Sequence, residues 1–401
     1  MSKGAPFLVA RKGIEVSFGL VTFAVLAHTL TKTQFAIYSL IFAFLAIARL
    51  TSFPGLGSAM AQAVARGRLG GFRRAQSISF LGAMIGSAIL LGVAWWHFDG
   101  VTSEVGEAFI IAALCFPLFA GITFWKPALI GAERYGRLLW FDGFGPALKC
   151  GAIVACAFLF PGLLYPIVIA ALLAPAAVNI IATWDILRIL PKDAAREEGG
   201  IKYGLRISLY QLPAVIAAQL DKIVLFYFIA PEALAVYAVA LRIPELARAV
   251  VGAINTTLAP VFARAESYTP EISRFSWKLW LLYMGISVLG AIFVIPWLLP
   301  LLSGPAYSDA VFFAQIMTIG VAFSYLSNIQ FRFIRSRLDS AMYLKATLAS
   351  ALIDSVLILG LAFLFGLSGV IAAYILKGLI RSLFIERMMV KKYLQPADAR
   401  R

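Results

Sequence analysis

Charged side chains occur inside several long apolar stretches of this chain. Eight of them are basic: Arg49, Lys126, Lys149, Lys222, Arg242, Arg248, Lys377 and Arg381. Five are acidic: Glu15, Asp142, Asp221, Glu245 and Asp354. In the middle of a membrane each charge costs at least about 2.5–3.5 kcal/mol, so each is expected to face a partner, water or the interior of a helix bundle. The net cationic set favours an anionic ligand such as a diphosphate or an acidic sugar, rather than a cation.

Two arginines lie deepest in their predicted helices. Arg49 and Arg248 each lie about 14 residues, or about 21 Å, from the helix start, so we predict that both bind the ligand. The alternative is that each extends along its helix to the headgroup layer. Arg242, Glu245 and Arg248 follow one another at intervals of three residues, so ion pairs on a single helix could neutralise them instead.

The other candidate residues carry similar alternatives. Lys377 and Arg381 share one helix face at a spacing of four, and we predict that they contact headgroups or ligand, although Arg381 could also reach the interface. Asp221 and Lys222 point about 100° apart on a helix, so one of them is expected to turn inward. An ion pair between the helix bundles is the alternative for Asp221. We interpret Lys126 as a residue that reaches the cytoplasmic interface.

Positioning these side chains requires membrane helices. The chain has 401 residues, of which 61% are hydrophobic and 14% charged, against about 45–50% and about 25% in soluble domains. Twelve spans of about 20 residues leave no room for a soluble catalytic domain. The three cysteines lack the spacing that a disulfide framework or a metal site would need. The predicted helices cover residues 13–30, 35–62, 75–97, 108–131, 138–160, 163–186, 202–230, 234–262, 276–302, 308–333, 341–365 and 369–389.

The connections between these helices alternate in charge. One set carries 26 of the 35 basic residues, whereas the opposite set carries only Lys32 and is otherwise acidic. Short loops rich in lysine and arginine stay in the cytoplasm, so both termini are predicted to be cytoplasmic. The first apolar run could be misread as a signal peptide, but Glu15 and Ser17 interrupt it, and we expect a permanent helix.

The chain divides into two similar halves. We predict an N-terminal six-helix lobe over 1–188, a cytoplasmic linker over 189–200 and a C-terminal six-helix lobe over 201–401. An offset of 199 residues superposes the sequence at 36–38 (AIY) on that at 235–237 (AVY), and Arg49 on Arg248. An offset of 205 superposes the AFLF at 157–160 on that at 362–365, and Lys149 on Asp354. The two halves are therefore expected to share one membrane orientation.

Several segments resemble a known family. Residues 220–225 read LDKIVL, residues 235–245 read AVYAVALRIPE, and residues 257–260 read TLAP. Residues 54–59, PGLGSA, and the basic turn after them add to the likeness. This layout resembles the polysaccharide flippases, the Wzx-like O-antigen and exopolysaccharide exporters of the multidrug/oligosaccharidyl-lipid/polysaccharide exporter superfamily.

The resemblance implies an all-α membrane fold in which two pseudo-symmetric six-helix bundles surround a central cationic cavity. It also implies that the protein flips a polyprenyl-diphosphate-linked oligosaccharide, a precursor of lipopolysaccharide or exopolysaccharide, to the outer leaflet of a bacterial inner membrane. The expected substrate-binding residues are Arg49, Arg242, Arg248, Lys149, Lys377 and Arg381. The expected coupling or gating residues are Asp354, Glu245 and Asp221.

We expect a transporter rather than an enzyme, with no cofactor and no nucleic-acid partner. Its expected partners are the lipid-linked oligosaccharide, membrane lipids, a coupling ion (proton or sodium) and polysaccharide assembly proteins. A multidrug-type cation antiporter of the same superfamily is the first alternative, and it would have an acidic cavity. A membrane-embedded glycosyltransferase or polymerase and a non-transporting scaffold are the others. Lys149 and Asp354 either attract each other across the lobes or each pair within its own lobe.

Overall fold

The computed structural model describes residues 5–68, 70–98, 103–189, 199–256, 270–336 and 340–393. Within these ranges the backbone is helical, with short turns and no strand. The packing divides the chain into two compact units, Met1–Val215 and Ile216–Arg401.

The first unit is a bundle of helices connected by short turns. Its helices are α1 (Ala5–Thr29), α2 (Lys32–Ala48), α3 (Gly55–Ala65), α4 (Phe72–Phe98), α5 (Ser103–Ala120), α6 (Trp125–Gly131), α7 (Tyr135–Leu159), α8 (Leu164–Ile189) and α9 (Gly200–Ala217). The largest packing partners in this unit are α4 with α5, α7 with both α1 and α8, and α5 with α8. One core cluster includes Trp125, Phe72 and Phe141.

A break divides the helix that the sequence predicts over 35–62. After α2 the backbone tightens into a 3₁₀ turn at Arg49–Ser52, and Phe53 adopts a left-handed conformation with φ of 53°. Pro54 explains the break, because a proline disfavours the helical region for the residue before it and has no N–H for the helix. Gly82 on α4 lets this turn approach, since a Cβ at that position would overlap the carbonyl oxygen of Thr51.

A second break separates α5 from α6, within the helix predicted over 108–131. The indole Nε1 of Trp125 donates to Oδ1 of Asn179 at 2.9 Å, and Nδ2 of Asn179 donates to the carbonyl oxygen of Phe119 at 3.1 Å. The side-chain amide of Asn179 therefore gives a hydrogen-bond partner both to the buried indole and to the Phe119 carbonyl near the end of α5. Buried polar groups need such partners, so this interaction holds α5 and α6 to α8.

The second unit is also helical. It contains α10 (Leu220–Val224), a π-helical segment (Leu225–Ile229), α11 (Pro231–Thr256), α12 (Pro270–Leu289), a second π-helical segment (Gly290–Val294), α13 (Ile295–Ser303), α14 (Ala310–Ser336) and α15 (Ser340–Tyr393). Gly366 interrupts α15 with a φ of 58°. The two predicted helices over 341–365 and 369–389 thus correspond to the two halves of α15.

Nine segments of the described residues are long and apolar enough to cross a membrane. One of them, Ala341–Lys392, contains both halves of α15, while α1 and α11 are outside the nine and carry several charges. Each of the twelve predicted spans overlaps a helix of the structure. Large apolar side chains such as Trp96 and Phe158 are exposed at 81% and 80%, as expected of surfaces that face lipid. The chain is therefore a multi-pass, all-helical membrane protein.

Candidate functional site: a cationic cluster in the second unit

Tyr374 on α15 lies between two basic side chains. The guanidinium of Arg248, on α11, donates a hydrogen bond to the Tyr374 hydroxyl, and its Cζ lies 5.6 Å from the ring centroid. Nζ of Lys377 lies 4.7 Å from the same centroid. Tyr374 and Lys377 are buried, whereas Arg248 is exposed. The tyrosine holds two cations through its ring and hydroxyl, which stabilise them without neutralising their charge.

Arg381 forms an ion pair one helical turn further along α15. Its NH1 lies 3.3 Å from Oδ2 of Asp354, in the first half of α15, and its Nε donates to Oγ of Ser327 at 3.2 Å. The second carboxylate oxygen, Oδ1 of Asp354, is buried, and no donor among the described residues lies within hydrogen-bond distance of it. Asp354 therefore has one oxygen paired and one that remains able to accept.

Asp221, by contrast, has both carboxylate oxygens occupied. It is buried in α10, where Oδ2 accepts from the hydroxyl of Tyr237 and Oδ1 accepts from its neighbour's backbone N–H at 2.8 Å. Nζ of Lys222 donates to Oε1 of Gln219 at 2.9 Å. Of the adjacent pair Asp221 and Lys222, the aspartate is the more buried. Its hydrogen bonds tie α10 to α11.

Two further predicted site residues, Arg242 and Glu245, lie on α11. Glu245 is exposed, Arg242 is partly exposed, and the helix continues through the buried Pro244. Together with Arg248 they place two cations and one carboxylate along this part of α11.

In the first unit, Arg49 follows α2 at the start of the 3₁₀ turn, and its side chain is exposed. Its surroundings differ from those of Arg248, which lies within a continuous helix. Lys149 on α7 is partly exposed, and its Nζ lies 4.9 Å from the ring centroid of Phe42. Both cations are therefore accessible within their own unit.

The position of Lys126, in the first unit, differs from the one that the sequence predicted. Lys126 was interpreted as reaching the membrane interface, but its Nζ pairs with Oδ1 of Asp142. Arg11 NH1 lies 2.8 Å from Oδ2 of the same aspartate. Asp142 thus joins α1, α6 and α7, and the burial of its carboxylate explains why two cations gather there.

Sequence reasoning did not identify Tyr374, Tyr237 or Ser327. A helical signal for Tyr374 was present, because Tyr374, Lys377 and Arg381 are spaced by three and four residues and so share one face. Ser327 carried no such signal, since it lies on another helix, α14, and meets Arg381 only through packing.

Comparisons with known proteins agree with this helical fold. An inward-facing multidrug resistance MATE family transporter of the MOP superfamily is 16% identical, with a TM-score of 0.65 and coverage of 96% of this chain and 98% of the other. A MATE protein in complex with MaD5 is 15% identical, with a TM-score of 0.68 and coverage of 97% and 95%. At these identities the likeness is one of fold.

A third similar structure is a MOP superfamily transporter from Pyrococcus furiosus Vc1, for which a binding pocket of reverse polarity suggests a different function. It is 14% identical, with a TM-score of 0.61, and the match covers 98% of this chain and 96% of that one.

No curated protein matches the chain. Residues 2–266, which are more than half of the sequence, match a family described as polysaccharide biosynthesis protein. Because this match covers more than half of the sequence, the chain belongs to the polysaccharide biosynthesis family.

Proposed function

We propose that the protein flips a polyprenyl-diphosphate-linked oligosaccharide from the cytoplasmic to the outer leaflet of a bacterial inner membrane by alternating access. The family supports a role in polysaccharide assembly, and the fold is that of transporters that span the membrane many times. The chemistry of the second unit supports a substrate with an anionic group near the lipid.

The arrangement of Arg248 and Lys377 around Tyr374 carries this proposal. Neither cation has a carboxylate within 4.0 Å among the described residues, and both contact the same tyrosine. Charged groups inside a membrane protein are costly unless they bind something. A diphosphate supplies the missing negative charge, and a guanidinium can hold two of its oxygens at once.

The other predicted binding residues take supporting roles. Arg49, Arg242 and Lys149 are accessible within their units and would contact the diphosphate or acidic sugars. Arg381 is paired with Asp354, so its contribution requires exchange of that partner for the substrate. The polyprenyl tail would stay in the lipid.

The test is binding of a polyprenyl diphosphate to the purified protein, together with glycan export in cells. Arg248→Ala and Lys377→Ala should each weaken binding about 10- to 100-fold, because a hydrogen bond to a charged group contributes about 1.5–3 kcal/mol. Arg248→Lys should be milder, since it keeps the charge and loses only the planar fork. Lys278→Ala, at an exposed lysine of α12, is the matched control.

Arg49→Ala belongs in the same series, because the 199-residue offset predicts for Arg49 a role similar to that of Arg248. Normal export by both alanine variants, at wild-type protein levels, would overturn the assignment. Equal loss of binding in Lys278→Ala would instead indicate a general charge effect.

Asp354 is the coupling residue that the geometry favours. Its Oδ1 can accept a proton or a sodium ion, whereas both oxygens of Asp221 are engaged by Tyr237 and a backbone N–H. Glu245 is exposed on α11 and is the second candidate. Transport that stays dependent on the ion gradient in Asp354→Asn would exclude Asp354.

A multidrug-type cation antiporter is the second candidate, because the similar structures named above are MATE transporters. The two functions differ in the charge of the ligand. Competition of an organic cation with the polyprenyl diphosphate, or export of such a cation that is lost in Glu245→Gln, would favour the antiporter.

A further inference from the structure

A cavity of about 520 Å³ lies in the first unit. It is formed by one side of α3 and by the beginnings of α4 and α9, and all of its lining residues belong to that unit. Its volume is in the range of about 300–1,000 Å³ that small-ligand sites occupy.

The walls of this cavity are mainly apolar. Its apolar lining includes Leu56 and Met60 of α3 and also Ile201 and Leu205 of α9. Small residues, including Ala63 and Gly71, leave the space open. Such a surface excludes water and suits a hydrocarbon chain rather than a sugar.

Two cations complete the lining. Arg74 of α4 and Lys202 of α9 both contribute to the cavity, and both side chains are exposed. They lie in the first turns of their helices, where the helix dipole adds further positive potential. The cavity therefore combines an apolar interior with a cationic rim, which is complementary to a molecule with an apolar chain and an anionic head.

We propose that this cavity binds one acyl chain of an anionic phospholipid of the surrounding membrane, with the phosphate held by Arg74 and Lys202. Basic pockets between membrane helices on the cytoplasmic side hold lipid headgroups in this way, and both cations lie at helix ends that the charge pattern predicts to be cytoplasmic. This lipid is not the transported substrate, and the residues that line the cavity are different from those of the cluster around Tyr374. Lipid in the cavity would hold α3, α4 and α9 together.

The experiment counts lipids bound to the intact purified chain by native mass spectrometry. Delipidated protein is titrated with phosphatidylglycerol and, separately, with phosphatidylcholine of the same acyl chains. The wild type should retain one phosphatidylglycerol with higher affinity than phosphatidylcholine. Arg74→Ala and Lys202→Ala should each weaken that binding about fivefold, and the double variant should abolish the preference.

Two further variants separate this site from general surface charge. Arg73→Ala removes the neighbouring exposed arginine, which does not line the cavity, and should leave binding unchanged. Ala63→Phe fills the cavity and should remove binding of both lipids. Arg74→Glu reverses a charge at the rim without altering the buried wall, and it should weaken binding of phosphatidylglycerol.

Three results would overturn the proposal. The first is that Arg73→Ala weakens phosphatidylglycerol binding as much as Arg74→Ala does. The second is full retention of phosphatidylglycerol in a folded Ala63→Phe protein or in Arg74→Glu. The third is tighter binding of a polyprenyl phosphate than of phosphatidylglycerol at this site.

Discussion

Tyr374 holds Arg248 and Lys377, and no carboxylate of the described residues is in contact with either. A ring face attracts a cation only weakly, by about 0.5–2 kcal/mol, so the proposed diphosphate would displace little when it binds. Arg381 is different, because its carboxylate partner must be exchanged. At the scale of single residues, two cations therefore contact a tyrosine, whereas a third is paired with a carboxylate.

The Arg381–Asp354 pair gives the first prediction. Asp354→Asn leaves a mostly buried guanidinium without its counter-ion, and breaking such a pair by removing one partner costs about 3–5 kcal/mol. Thermal unfolding in detergent should show a clear loss of stability. The double variant Asp354→Asn with Arg381→Gln should lose less than the sum of the two single variants.

An exposed ion pair provides the control. Arg137 NH1 lies 3.0 Å from Oδ2 of Asp185, and both side chains are more accessible than Arg381 and Asp354. Asp185→Asn should cost at most about 1 kcal/mol. Additive losses in the double variant would show that Arg381 and Asp354 do not stabilise each other.

At the scale of elements, the break between α2 and α3 places Arg49. The 3₁₀ turn and the left-handed Phe53 end α2 at this arginine, so its side chain is presented at a helix end rather than along a helix face. The close approach of α4 maintains the turn, and this approach requires a residue without a side chain at Gly82.

Gly82→Ala is therefore expected to destabilise the first unit by about 1–3 kcal/mol, as overpacking does. The added methyl group overlaps the Thr51 carbonyl oxygen, and the backbone must move to relieve it. The measurement is the midpoint of thermal unfolding together with the yield of folded protein. Gly92→Ala on the same helix is the control, because a Cβ there has no neighbour within 4 Å in the part of the chain that the structure describes. Equal effects of the two substitutions would contradict the packing argument.

At the scale of the whole molecule, the loop charges predict orientation. Connections near 161 and 306 lack basic residues, whereas the connection near 132 is followed by Arg134 and Arg137. Basic loops remain in the cytoplasm. Both chain termini are therefore expected on the cytoplasmic side.

Single cysteines test this orientation in a protein that lacks its three native cysteines. Pro161→Cys and Ala306→Cys lie at exposed turns and should react with an impermeant thiol reagent on intact cells. Ala132→Cys, at an exposed turn of the opposite set, should react only after lysis. The reverse labelling pattern would show that the predicted orientation is wrong.

Much of the architecture followed from local properties of the sequence. Apolar length predicted twelve helical segments, each of which overlaps a helix of the structure, because a membrane helix satisfies its backbone hydrogen bonds within its own segment and needs only sufficient apolar length. The residue motifs also led to the polysaccharide family, which residues 2–266 confirm. The breaks at Pro54 and before Trp125 were missed, since apolar content continues through them.

The tertiary structure decided which charges meet. The sequence supplied Arg248, Lys377, Arg381 and Asp354 as intramembrane charges, but their partners depend on how α11, α14 and α15 pack within the second unit. Spacing along one helix reports which residues share a face, and it carries no information about the neighbouring helix. Sequence alone therefore identified the charges, while only packing showed that Asp354 pairs with Arg381 and that Tyr374 holds the two cations proposed to bind a diphosphate.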